Sequence, residues 1–175
     1  MKRSKILTNF ISPSIDSRDS VSLIKKILAN QIPNEGILTR KFEKNISKKL
    51  KTKYVVATTS GTISIFLALK ALKIGHKDEV LIPNLTFAAT ANAVKLSGAK
   101  PILVDIDETN LLLDLKKLKK KINKKTKAII AVHISGRGSN IIKLKQISKK
   151  YKIKLIEDAA EAFASKYNNK SLGTF

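Results

Sequence analysis

From residue 54 onward, short apolar runs that read as strands alternate with segments of helical spacing, and that rhythm leaves few folds open. The strand candidates are Tyr54–Thr58, Glu79–Ile82, Pro101–Val104, Lys127–Val132 and Ile153–Ile156. The helix candidates are 61–72, opened by Gly61-Thr62, then Phe87–Ser97, Leu115–Ile122 and Ile141–Tyr151. Strands that are continuous apolar runs, not alternating ones, are buried on both faces. Strand–helix alternation with short connections implies right-handed crossovers and a mostly parallel sheet between helix layers. The expected class is therefore α/β, a three-layer αβα sandwich. In such sheets functional residues gather just past the C-terminal ends of the strands.

Upstream, Val21, Leu23, Ile24, Ile27 and Leu28 give Asp19–Ala29 a helical pattern. Pro33, Asn34 and Gly36 break the chain over Gln31–Gly36. Thr39 is the expected N-cap of a helix through Lys51, with Phe42, Ile46 and Leu50 on one face. No repeat or low-complexity linker stands out, so the chain divides into an N-terminal arm and helix, 1–35, and one main domain, 36–175.

Composition narrows the function classes. No apolar run approaches the roughly 18 residues of a membrane span, and no apolar h-region follows the basic start Met1-Lys2-Arg3-Ser4-Lys5. A cytoplasmic protein without a membrane partner is expected. The absence of cysteine rules out disulfide and thiolate chemistry, and with two histidines no metal site is expected. A net charge of +22 raises the question of nucleic acid. Against it, arginine occurs only at Arg3, Arg18, Arg40 and Arg137, so the forked donor that reads guanine is scarce. Aromatics are 5% of residues and do not interleave with basic runs such as Lys116–Lys121. Such runs read as a solvated face, whose field an anionic substrate would still feel.

Four strand ends carry candidate chemistry. Thr58-Thr59-Ser60-Gly61-Thr62 opens a helix, where free amides and the helix dipole suit a phosphate; the same residues also read as a plain N-cap. It is neither a Walker loop nor a G-x-G-x-x-G turn. Phe87, at a strand-to-helix turn, reads either as a platform for a planar ring or as core. Glu157-Asp158-Ala159-Ala160-Glu161 follows the last strand. One acid there could keep a pyridinium nitrogen protonated, or the pair could open a helix and complement its dipole. His133 reads as a packed, hydrogen-bonded residue before it reads as a ligand or base, and Gly136-Arg137-Gly138 reads first as a turn.

Taken in order, these segments resemble the DegT-like family of nucleotide-sugar aminotransferases, which have the aspartate aminotransferase-like large domain of fold-type-I pyridoxal-phosphate enzymes. The resemblance runs from about Gly36 to Phe175. It rests on Leu38–Glu43, Ser60-Gly61-Thr62, Pro83–Thr90, Val104–Asp107, Val132-His133 with Gly136, Ile156–Ala162 and Leu172–Phe175. The wording around Glu157–Ala162 looks most like the perosamine-synthase-type branch.

The resemblance implies pyridoxal 5'-phosphate as cofactor. It makes Gly61, Thr62 and the Ile63 amide the phosphate site, stacks Phe87 on the pyridine ring and pairs Asp158 with the ring nitrogen. Glu161 would sit by the ring's 3-oxygen, where many relatives have glutamine; an ionised Glu161 would accept a proton there, whereas glutamine donates. The implied reaction moves an amino group from glutamate to a 4-keto nucleotide sugar, in an enzyme that is a homodimer when intact.

The family's Schiff-base lysine lies a few tens of residues after the aspartate, past the point where this sequence stops at Phe175. Lys166 and Lys170 fall too early for that role. No catalytic residue is therefore assigned, and the large domain is expected to be incomplete at its C-terminus with the small domain absent. The expectation is a truncated or split form, inactive alone, with a partner chain as one source of its missing part. Two other readings stand beside it: a module that binds cofactor or sugar nucleotide without turnover, and a basic nucleic-acid-binding protein.

Overall fold

The computed structural model describes residues 17–29, 36–138 and 140–175. The expected arm and nearly all of the 31–36 loop lie outside the described residues. The chain divides into two compact units, 1–42 and 43–175. In the first unit, α1 (Ser17–Ala29) exposes Val21, Leu23, Ile24 and Leu28. Helix α2 (Ile37–Leu50) starts two residues before the expected cap at Thr39. The Gly36 carbonyl already accepts from the Arg40 amide at 3.2 Å, so Thr39 lies inside the first turn.

The second unit is a parallel sheet with helices on both faces. Its strands are β1 (Glu79–Pro83), β2 (Lys100–Val104), β3 (Thr126–Val132) and β4 (Lys154–Asp158), in the order β2-β1-β3-β4. All three pairings are parallel, as the unbroken apolar runs require. Successive side chains leave a strand on opposite faces. On one face Val80, Ile82, Ala128 and Ile130 pack with Ile65 and Leu69 of α3 (Gly61–Ala71) and Ala93 and Val94 of α4 (Ala88–Leu96). On the other, Leu81, Val104, Ile129 and Ala131 pack with Leu118 of α5 (Leu115–Lys121) and Ile141, Leu144 and Ile147 of α6 (Ile141–Tyr151). Each element contributes one stripe or one alternation to these two cores, which makes the three layers.

The lysine run behaves as a solvated face. Leu118 is fully buried while Lys116, Lys117, Lys119, Lys120 and Lys121 are exposed around it. Two of these lysines guard the outer strand: the Lys121 ammonium donates to the Leu103 carbonyl at 2.6 Å and Lys117 lies 3.3 Å from Asp105. Lysine at a sheet edge discourages pairing with another chain.

Two differences from the sequence reading stand out. Tyr54–Thr58 is not a strand, because pairing and not apolarity defines one and nothing among the described residues pairs with it. Its Tyr54 and Val56 are exposed, and the Ala57 amide donates to the Glu43 carboxylate at 2.8 Å. Beyond β4, a small antiparallel hairpin of β5 (Lys166–Tyr167) and β6 (Lys170–Ser171) occupies a stretch with no strand candidate in the sequence. Its strands of two residues are too short for a periodicity to show. No helix among the described residues is long and apolar enough to cross a membrane.

Candidate active site

Connectivity brings the candidate residues to one edge of the sheet. Helix α4 follows β1 directly, so its N-terminus lies at the C-terminal end of that strand. Helix α3 leads into the start of β1, so it runs against the strands and its own N-terminus faces the same edge. An 11-residue helix rises about 16 Å, close to the span of a five-residue strand. Gly61-Thr62, Phe87 and Asp158 therefore share the edge where β1 and β4 end.

At the start of α3 the Ile63 amide donates to Ser60 Oγ at 3.3 Å, a conventional side-chain cap. The cap takes up the Ile63 amide that the resemblance assigns to phosphate. The Gly61 and Thr62 amides, in the first helical turn, have no intrahelical acceptor. A Cβ placed on Gly61 would meet nothing within 4 Å, so the protein's own packing does not call for glycine there. The space beside the Gly61 backbone is free, as close approach of an anion requires. The neighbouring hydroxyls of Thr58 and Ser64 are 2.6 Å apart.

Phe87 is the N-cap residue of α4 and is 78% exposed, which excludes the core reading. A ring of this size left bare beside a strand end is a ready face for a planar ligand.

Asp158 ends β4 on the α3/α4 side, the face of Ile156. Its Oδ2 accepts from the Thr90 hydroxyl at 2.8 Å and its Oδ1 from the Ala160 amide at 3.3 Å. No helix follows it: residues 159–165 form turns, so the acids do not complement a helix dipole. Glu161 is exposed, and its Oε2 accepts from the Ser135 amide at 2.7 Å. That contact ties the carboxylate to the turn at Ile134–Gly136.

The other acid, Glu157, points to the α6 side and is consumed by the fold. It accepts from His133 Nε2 at 2.9 Å and from the amides of Gly173 and Phe175 at 2.9 and 2.6 Å. Burial pushes its carboxyl up, but those three hydrogen bonds and the His133 charge outweigh burial and hold it below the ordinary value. His133 is fully buried. Since a carboxylate only accepts, the imidazole carries a hydrogen on Nε2. His133 is the packed, hydrogen-bonded residue the sequence suggests.

Sequence reasoning assigned no role to Thr90, which is fully buried on α4; a hydroxyl on the inward side of an otherwise apolar helix face was the available signal. Asp105 is committed elsewhere, to Asn84 Nδ2 at 3.2 Å and to Lys117. Arg137 donates to the Asn110 carbonyl at 3.3 Å, so the Gly-Arg-Gly stretch is a tethered turn. No group of three or more His, Asp or Glu able to hold a metal occurs among the described residues. The edge thus offers anion-binding amides, an exposed aromatic face and a carboxylate whose plane is fixed. Those features fit a planar, phosphate-bearing pyridine.

Known proteins place the chain in a family of aminotransferases. The model of the DegT/DnrJ/EryC1/StrS aminotransferase family matches residues 14–175, beginning upstream of the Gly36 at which the sequence resemblance starts. GDP-perosamine synthase of Escherichia coli O157:H7 is 36% identical over 163 residues, covering 93% of this chain and 45% of that protein. The aminotransferase from Psychrobacter cryohalolentis superposes with a TM-score of 0.87 at 30% identity, over 92% of this chain and 41% of its own. NtdA from Bacillus subtilis, solved with bound cofactor PMP, gives a TM-score of 0.74 at 39% identity, over 82% of this chain and 34% of its own. The chain thus spans less than half the length of the relatives it matches.

Proposed function

The chain belongs to the DegT/DnrJ/EryC1/StrS aminotransferase family, and from that premise we propose that residues 1–175 form the cofactor-cradling part of a pyridoxal-phosphate-dependent aminotransferase acting on a nucleotide-linked keto sugar. The observation that carries this reading is the bare Phe87 ring, set at the same sheet edge as the open start of α3 and Asp158. Among the described residues none covers that ring, and a pyridine would.

Each residue has a definite task. The Gly61 and Thr62 amides, with the hydroxyls of Ser60 and Thr62, bind the phosphate. The dipole of α3 favours its negative charge. Phe87 stacks on one ring face and excludes water from it. Asp158 holds a proton on the ring nitrogen, and Glu161 accepts from the 3-hydroxyl. The bound cofactor supplies an electron sink for the proton and amino-group shifts of transamination. An acceptor at Glu161, where glutamine would donate, favours the protonated 3-oxygen.

The 4-keto nucleotide sugar and the glutamate donor follow from likeness to perosamine-type enzymes and are the finer part of the proposal. The amine that bonds the cofactor comes from outside residues 1–175. The two lysines after Asp158 both lie in the β5–β6 hairpin, with the Lys170 ammonium 4.7 Å above the Phe175 ring. Purified residues 1–175 should therefore retain pyridoxal phosphate non-covalently, with a change in its absorbance, and lose it in Asp158→Ala. They should not aminate a 4-keto nucleotide sugar from glutamate. Failure to retain the cofactor overturns the binding assignment; glutamate-dependent amination overturns the placement of the lysine outside this segment.

A further inference from the structure

We infer that Thr90, oriented by Thr86, is a positioning residue that aims the Asp158 carboxylate at the ring nitrogen; this rests on the cofactor reading above. The Thr90 hydroxyl is fully buried and lies 2.8 Å from Asp158 Oδ2 and 2.8 Å from Thr86 Oγ1. A carboxylate only accepts, and a hydroxyl has one hydrogen. Thr90 therefore donates to Asp158 and must accept from Thr86. The pair is a one-way relay of two donors that ends on one carboxylate oxygen.

Its geometry suits aiming. Oδ2 is held from α4 and Oδ1 by the Ala160 amide at 3.3 Å, so two different segments fix the plane of the carboxylate. A donor must approach a carboxylate near that plane, and a plane fixed beforehand needs no reorganisation when the donor arrives. Thr90 also stands one helical turn after Phe87, with its amide on the Phe87 carbonyl at 3.1 Å. The same buried hydroxyl thus keeps the stacking ring on α4 in register with the acid on β4. A hydrogen bond from a buried hydroxyl to a charged carboxylate is charge-assisted and stronger than one between neutral groups.

The test compares pyridoxal phosphate with 1-deazapyridoxal 5'-phosphate, in which carbon replaces the ring nitrogen. Absorbance titrations of purified residues 1–175 are run for wild type, Thr90→Val, Thr90→Ser, Thr86→Val and Asp158→Asn, with unfolding midpoints measured alongside. Thr90→Val should weaken pyridoxal phosphate by about tenfold and leave the deaza compound within about twofold. Thr90→Ser should restore wild-type binding, and Thr86→Val should show a smaller loss with the same selectivity. Equal loss of both compounds in Thr90→Val, or no loss of either, overturns the inference. If Asp158→Asn discriminates between the compounds and Thr90→Val does not, the cofactor reading stands and the positioning role falls. If wild type shows no preference for the ring nitrogen, the pairing assigned to Asp158 falls and the inference with it.

Discussion

Glu157 and Asp158 are adjacent carboxylates at the end of one strand, yet they face opposite layers and meet opposite fates. The Glu157 side chain is 8% exposed and takes three donors, from His133, Gly173 and Phe175. It ties the end of β3 to the segment that follows the β5–β6 hairpin. Asp158 takes one buried hydroxyl and one long amide contact, which leaves acceptor capacity at the open edge. The protein completes the first acid with its own groups and leaves the second only partly bonded. Strand alternation alone decides which is which, so a one-residue slip in β4 would exchange structure for function.

The sharpest way to break this comparison is to remove the structural acid. Glu157→Ala strips the acceptor from a buried histidine and two amides, and breaking such a buried pair costs about 3 kcal/mol. Chemical denaturation should show that loss, whereas a drop below about 1 kcal/mol would mean that His133 and the C-terminal amides find other partners. Acid titrates the same group. The folded carboxyl is held below the ordinary value, so its contribution is complete above the unfolded value of about 4.3 and is lost as pH falls through the lower folded value. Stability of wild type should therefore decline on the acid side more steeply than that of Glu157→Gln. Parallel acid limbs in the two proteins would remove the carboxylate from the explanation.

The neighbouring acid should respond in reverse. Asp158→Asn keeps an oxygen for the Thr90 hydroxyl and should change stability by less than about 1 kcal/mol. It removes a charged partner from the ring nitrogen, so pyridoxal phosphate affinity should fall about thirtyfold. Large unfolding with unchanged affinity would reverse the roles assigned to the two acids. Phe87 extends the same logic. With Phe87 78% exposed, Phe87→Ala should leave the unfolding midpoint nearly unchanged and weaken cofactor binding about fivefold, the worth of one stacked aromatic pair. A marked loss of stability would return Phe87 to the core.

How much of this is legible in sequence differs between the two sides of β4. The layers were readable because runs such as Lys127–Val132 are apolar without alternation, and Ala128–Ala131 are indeed fully buried. Asp158 was readable as half of a pair, but sequence gave the pair no direction; the choice came from family likeness and, in the structure, from the face it shares with Ile156. Thr90 stayed hidden because its partner is 68 residues away, and no local period announces such a bond. The hairpin at Lys166–Ser171 stayed hidden for the opposite reason, being too short to carry a period. Tyr54–Thr58 misled because an apolar run states a preference for burial and pairing without supplying the neighbour that satisfies it.

The smallest expected effect separates fold from ligand most cleanly. Gly61 starts α3, its backbone is not among the positive-φ positions, and a Cβ there meets no atom within 4 Å. Alanine at that place strains nothing and restricts the unfolded chain, so Gly61→Ala should stabilise residues 1–175 by about 0.5 kcal/mol. The added methyl projects into the free space that a phosphate would use to reach the Gly61 and Thr62 amides, and pyridoxal phosphate should bind about threefold more weakly, roughly the net worth of one impaired hydrogen bond. Pyridoxal, which lacks the phosphate, should be unaffected. A variant that is both more stable and a weaker binder of the phosphorylated compound alone is hard to obtain unless the glycine is there for the ligand. Equal weakening of pyridoxal and its phosphate would place the phosphate away from α3, and undiminished binding of both would leave the helix start as a cap and nothing more.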